Sequence, residues 1–236
     1  MQAQVVTVAD GIGWFSCGWR IFMRNPGLWI VLGLIFLAIV VVLSLIPFLG
    51  GLALALVGPL LTAGLLHAAR EADAGRALDA LHVFQGFKEK DKVTPLLSLG
   101  GISVGAAVVS GIIAFALIGG SLMVVSHGDG WPAHAPAIGL GAMLGGLLIL
   151  TIQLAVAMAL LYAVPLVMFR ATELGAALRS SFRACLRNWL PLTVFGILYL
   201  VLAVLASLPF MLGWIILLPV SAGMLYCSYR DLYEAG

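Results

Sequence analysis

Apolar residues run in six long uncharged stretches, at 28–47, 51–69, 95–120, 138–168, 191–208 and 211–228, divided by short polar or charged segments. About 20 apolar residues at 1.5 Å rise each cross a bilayer as a helix, so each stretch predicts one transmembrane span. Only Pro47-Phe48-Leu49-Gly50 separates the first two spans and Pro209-Phe210 the last two, while 121–136 joins the third and fourth. Three shorter segments precede the pairs, at 8–24, 78–88 and 173–187. They place Trp14, Phe15, Trp19 and Phe22, then Leu81, Phe84 and Phe87, then Leu174, Leu178, Phe182 and Cys185 at near-helical spacing. Such amphipathic helices lie in the headgroup plane. The expected fold is all-α: a single integral membrane domain over 1–236 with six spans arranged as three hairpins, each preceded by an interfacial helix.

The three units resemble one another. Gly18-Trp19-Arg20 followed by Arg24 recurs as Gly86-Phe87-Lys88 followed by Lys92, and as Ser181-Phe182-Arg183 followed by Arg187. A proline follows each time, at Pro26, Pro95 and Pro191. The first and third units also share Arg24-Asn25 with Arg187-Asn188, Pro59 with Pro219, Thr62-Ala63-Gly64 with Ser221-Ala222-Gly223, and Arg70-Glu71 with Arg230-Asp231. The reading is a tripled unit, about 8–73, 77–170 and 172–231, in one orientation and therefore related by an axis along the membrane normal.

Charge sets the orientation. All 12 basic residues fall at Arg20 and Arg24, from Arg70 to Lys92, from Arg170 to Arg187, and at Arg230, whereas 121–136 carries Asp129 as its only formal charge. The positive-inside rule then places both termini and the two charged loops in the cytoplasm. A composition of 63% hydrophobic and 9% charged residues leaves too little polar surface for a water-soluble globule. No basic residue precedes Arg20, so a cleaved signal peptide is not expected. Cys17, Cys185 and Cys227 share no CxxC spacing and map to the face assigned to the cytoplasm, which predicts reduced, packed thiols.

Candidate chemistry is sparse. The paired basic residues Arg20, Arg24, Lys88, Lys92, Arg183 and Arg187 are topology signals and interfacial anchors that could also meet lipid headgroups. Gln153 and Thr151 at the centre of the fourth span, and Ser103 and Ser110 seven apart on the third, predict interhelical hydrogen bonds or the lining of a polar path. The spacings Gly101 to Gly105 and Gly141 to Gly145 predict close helix packing in the middle hairpin. No Asp, Glu, Lys or Arg lies within a span to bind a coupling ion. Gly101-Ile102-Ser103-Val104-Gly105 matches GxSxG, but no histidine base is placed to activate Ser103. His127, Asp129 and His134 have an unspecific spacing for a metal. No catalytic residue, metal, cofactor or nucleic-acid partner is expected.

The run from Ser181-Phe182-Arg183 to Asn188-Trp189-Leu190-Pro191, the Gly18-Trp19-Arg20 start and the closing Ser228-Tyr229-Arg230-Asp231 resemble a family of uncharacterised six-span inner-membrane proteins of proteobacteria. More distantly, the hairpin pattern is similar to the membrane domain of glycerophosphodiester phosphodiesterases. The first resemblance implies the bacterial inner membrane and no assigned activity. Two functions are expected to compete: a non-enzymatic scaffold or regulatory module that meets lipids or a protein partner at its cytoplasmic face, and a transporter or channel-like protein for a small or lipidic solute. Oligomeric state is open.

Overall fold

The computed structural model describes residues 3–47, 49–126 and 131–234, without the side chains of 119–138. Every regular element among them is helical. Helix α1 (Val8–Met23) starts at a capping box: the Thr7 side chain accepts from the Asp10 amide while the Asp10 carboxylate accepts from the Thr7 amide. Helix α2 (Pro26–Ser44) follows at once, with Asn25 capping the Leu28 amide and Pro26 in the first turn, where its missing N–H costs nothing. Helix α3 (Leu49–Asp73) returns across the hydrocarbon. The segment expected as a second interfacial helix is instead a 3-10 turn (Ala80–Phe84) running into the single helical turn α4 (Gln85–Lys88).

Helices α5 (Lys90–Ser126) and α6 (Trp131–Leu161) form the long middle pair, and α7 (Ala163–Arg170) continues α6 beyond a break at Tyr162. Helix α8 (Leu174–Arg187) leads to α9 (Trp189–Ser207) and α10 (Trp214–Tyr233). The turn between α9 and α10 is tight enough to put Phe210 and Met211 at φ 50° and 63°.

Five helical stretches among the described residues are long and apolar enough to cross a membrane: Pro26–Ser44, Leu49–Asp73, Lys90–Ile118, Gly139–Arg170 and Trp189–Ser207. Their outer sides are apolar and open, with Ile112, Phe115, Leu150 and Leu200 all more than half exposed. Such a surface is solvated by hydrocarbon rather than water. Helix α10 falls outside this set because its last turns carry Ser228, Arg230 and Asp231, and it is also largely enclosed. Val220, Met224, Cys227, Tyr229 and Leu232 are buried among α1, α2, α3 and α9.

Helix α1 lies against α10 and α9 and buries Trp14, Cys17, Ile21 and Phe22 in protein rather than in lipid. Gly18 and Gly223 sit where α1 and α10 cross. A Cβ on Gly18 would come within 2.8 Å of the Val220 carbonyl oxygen, so only glycine permits this approach. The crossing also corrects the cysteine expectation. Cys17 and Cys227, with Cα atoms 6.4 Å apart and 210 positions apart in sequence, form a disulfide. Cys185 is free and buried.

The glycine spacings act only in part as expected, at Gly145, where an added Cβ would lie 2.1 Å from Leu117 Cδ1 of α5. Gly101, Gly105 and Gly141 have nothing within contact distance of an added Cβ. The close backbone approach is at Gly100, where a Cβ would lie 2.1 Å from the Leu56 carbonyl oxygen, and it joins α5 to α3 rather than to α6.

Candidate functional site

The charged residues collect at one end of the bundle, around the C-terminal ends of α3, α7 and α10. Those ends carry unpaired backbone carbonyls and a partial negative charge, which cations satisfy. Arg24 donates to the carbonyls of Ala72 and Asp73 at the end of α3. Lys92 donates to Met168 O at 2.6 Å, near the end of α7, and also pairs with Glu89. Arg170 donates to Tyr233 O at the end of α10. Arg230 closes the set with a 2.7 Å bond from Nη1 to Asp73 Oδ2, and the Arg70 guanidinium stands 4.9 Å from the Phe169 ring. The three arginines that end α3, α7 and α10 therefore each reach the end of another of these helices. Burial pushes the Glu89 carboxyl up, but the bonds from Lys92 and Gln85 outweigh it and hold it below its ordinary value.

Each interfacial segment meets a helix backbone through its small residue. Gly18 faces Val220 O, and Gly86 faces Leu60 O, where a Cβ would stand 2.3 Å away. Ser181 takes the third position with a hydroxyl. Its Oγ donates to Met158 O at 2.7 Å and accepts from the Tyr162 amide at 3.0 Å. The side chain is thus inserted into what would be an i to i−4 backbone bond, and this opens the break between α6 and α7. Asn188, 1% exposed, holds the N-terminal segment by accepting from the Val6 amide and donating to Gln4 O.

The six expected basic residues divide by environment. Arg24 and Lys92 are committed to helix ends, as above. Arg20 is exposed, with Nη2 3.6 Å from Cys17 Sγ, and Lys88 is exposed on α4. On α8, Arg183 and Arg187 are exposed, and Arg179, which the sequence reading did not single out, precedes them by one turn. Among the described residues none of these three makes a hydrogen bond or an ion pair. Their i, i+4, i+8 spacing lays them in one stripe opposite the buried Ala177, Ser181, Ala184 and Cys185.

At depth, Gln153 Nε2 donates to Ser110 Oγ at 3.2 Å and ties α6 to α5. Thr151 and Ser103 turn inward on their own helices and donate to Leu147 O and Leu99 O. Ser103 therefore has no base beside it among the described residues. His67 lies 4.0 Å from Glu71 and packs edge-on against His82. Among the described residues no group of three His, Cys, Asp or Glu could hold a metal. His127 and Asp129 lie outside the described residues, as does the His134 side chain. At the opposite end of the bundle, Leu200, Ala203, Val204, Ser207, Leu208 and Trp214 line an open apolar groove of about 400 Å³.

A protein of Burkholderia thailandensis described as a probable inner membrane protein is 28% identical to this chain over 253 aligned residues, which cover 99% of the chain and 93% of the relative. No protein family matches the chain, so the likeness to glycerophosphodiester phosphodiesterases gains no support. No solved structure matches it either.

Proposed function

We propose that the chain is a non-enzymatic module of the bacterial inner membrane. In this reading six spans form three hairpin units around a pseudo-threefold axis, both termini face the cytoplasm, and the clamped charged face meets lipids or a protein partner. The observation that carries it is the commitment of polar groups to holding helices together. Arg24, Lys92, Arg170 and Arg230 bond helix ends, and Gln153 bonds Ser110. The head-to-tail contacts of Gly18 with α10, Gly86 with α3 and Ser181 with α6 support the threefold arrangement, because each interfacial segment meets the second span of the preceding unit. α10 is the sixth span. The relative's description supports the inner membrane as the location.

A transporter or channel for a small or lipidic solute is the second reading, and one observation favours it: Gln153 remains exposed at mid-span although it is bonded. The two readings differ over whether water reaches that amide. Gln153→Cys in a Cys185→Ser background, probed with a membrane-impermeant maleimide in oriented vesicles, is expected to resist the reagent from both sides while Phe210→Cys in the hairpin turn reacts. Labelling of Gln153→Cys at the rate of the turn control would replace the module by a water-filled path.

A further inference from the structure

The helices around the bundle do not close it evenly. In the hydrocarbon, α3 packs along α5 and α10 packs along α2, but α6 and α9 share no such seam among the described residues. What joins them is α8, which lies across the charged end of α6 and runs directly into α9. Above α8 the flanks stay open: Leu150, Leu154 and Leu161 on α6, and Leu190, Ile197 and Val201 on α9, are all exposed. From Leu161 to Leu150 the helix rises about 16 Å at 1.5 Å per residue, close to half of a hydrocarbon core of about 30 Å. The open flank therefore has the depth of one leaflet.

On the exposed face of α8, at the charged end of this flank, stand Arg179, Arg183 and Arg187, the stripe without protein partners among the described residues. The positions that match Arg187 in the other units behave differently, since Arg24 and Lys92 are spent on helix ends, whereas Arg20 and Lys88, which match Arg183, are exposed as it is. Three uncommitted guanidiniums, each able to hold a phosphate through a two-pronged bond, thus stand at headgroup depth beside an apolar flank one leaflet deep. We infer that the flank between α6 and α9 binds one anionic phospholipid of the leaflet on the charged side. Its phosphate lies on the arginine stripe of α8 and its acyl chains lie between the two spans. Basic clusters between spans on the cytoplasmic side are a known arrangement for acidic headgroups. The inference rests on the module reading and names the lipid class that its charged face selects.

Native mass spectrometry of the full chain in detergent, with phosphatidylglycerol or phosphatidylcholine of identical acyl chains added, tests it. The wild type is expected to retain phosphatidylglycerol at least about threefold better. Arg183→Gln with Arg187→Gln should abolish that preference, while Arg76→Gln with Lys90→Gln, which removes equal charge elsewhere, should keep it. Leu154→Trp, at an exposed position that leaves the fold undisturbed, should lower phosphatidylglycerol retention by obstructing the acyl chains. Equal retention of the two lipids by the wild type, or equal loss in the Arg76 and Lys90 variant, overturns the inference. So does a dimer that Leu154→Trp dissociates, because a second copy then fills the flank. The Gln153→Cys labelling is read separately, so loss of lipid preference with an unreactive Gln153→Cys rejects this site and leaves the module standing.

Discussion

Ser181 and Cys185 on α8 and Asn188 at its C-cap lie within eight residues and face three different tasks. Ser181 supplies both the donor and the acceptor that the break at Tyr162 leaves open, so its loss orphans the buried Tyr162 amide and leaves the Met158 carbonyl only the weak Cys185 thiol donor. Such groups cost about 1–3 kcal/mol each when unpaired. Ser181→Val is expected to destabilise the protein by about 2 kcal/mol, and Ser181→Gly by less because it admits water, as read from thermal unfolding in detergent. A smaller effect for Val than for Gly would show that the hydroxyl does not bridge the break. Cys185 contacts the same carbonyl and is buried, and burial pushes its thiol up to about 12. Maleimide acts on the thiolate, so at pH 8 native Cys185 should label at least tenfold more slowly than after denaturation. The sequence showed Ser181 as the odd member of a set with Gly18 and Gly86, but not why a hydroxyl was needed there. The kink it fills is a property of the end of α6, 19 to 23 residues away.

Helices were legible to the extent that their own periodicity determined them. The uncharged runs gave α2, α3 and α9 closely and α5 and α6 with ends five to seven residues off, because length and apolarity are local properties and lipid imposes little else, while the break at Tyr162 inside the expected fourth span was not visible. The segment at 78–88 was misread as a helix. Its aromatic spacing is consistent with one, but Gly86 must approach α3 so closely that a 3-10 turn and a single α turn fit where a longer helix would not. Gly86→Ala forces a Cβ onto the Leu60 carbonyl, a backbone atom that cannot swing away. The expected cost is about 1–3 kcal/mol, whereas Gly101→Ala, with open space around it, should be neutral or slightly stabilising. Equal effects of the two would remove the close approach from the account. At α1 the capping box gives a pH dependence with a definite sign. The bonds from the Thr7 amide and hydroxyl hold the Asp10 carboxyl below the ordinary aspartate value, so the folded form binds the proton less readily than the unfolded form. Its contribution is present above the unfolded value and is lost as pH falls through the lower folded value. Asp10→Asn should therefore match the wild type in acid and be less stable at neutral pH, as followed by unfolding at pH 3 and pH 7.

The bundle as a whole is tied where its two ends in sequence meet. Cys17 and Cys227 lie 210 positions apart on α1 and α10, and no spacing rule could pair them. Their meeting follows from the crossing at Gly18 and Gly223, which the sequence showed only as glycines in two separate repeated motifs, Gly18 with Gly86 and Ser181, Gly223 with Gly64. The same crossing places Trp14 Nε1 3.0 Å from Asp231 Oδ2 and Arg230 Nη2 3.9 Å from Cys17 Sγ, so α1 is held to α10 by a covalent bond and by polar contacts on either side. In water a bridge closing so long a loop would stabilise by about 5 kcal/mol on chain-entropy grounds. In a bilayer the unfolded chain keeps its spans and has less entropy to lose, so reduction should cost about 2 kcal/mol or less. Purified protein denatured without reductant should take one maleimide, on Cys185, and after reduction three. The unfolding midpoint should fall by a few degrees on reduction and by the same amount in Cys17→Ser with Cys227→Ser. Three adducts without reductant would mean that Trp14, Asp231 and the glycine crossing hold α1 without the bond. That outcome would also fit the cytoplasmic orientation proposed for this face.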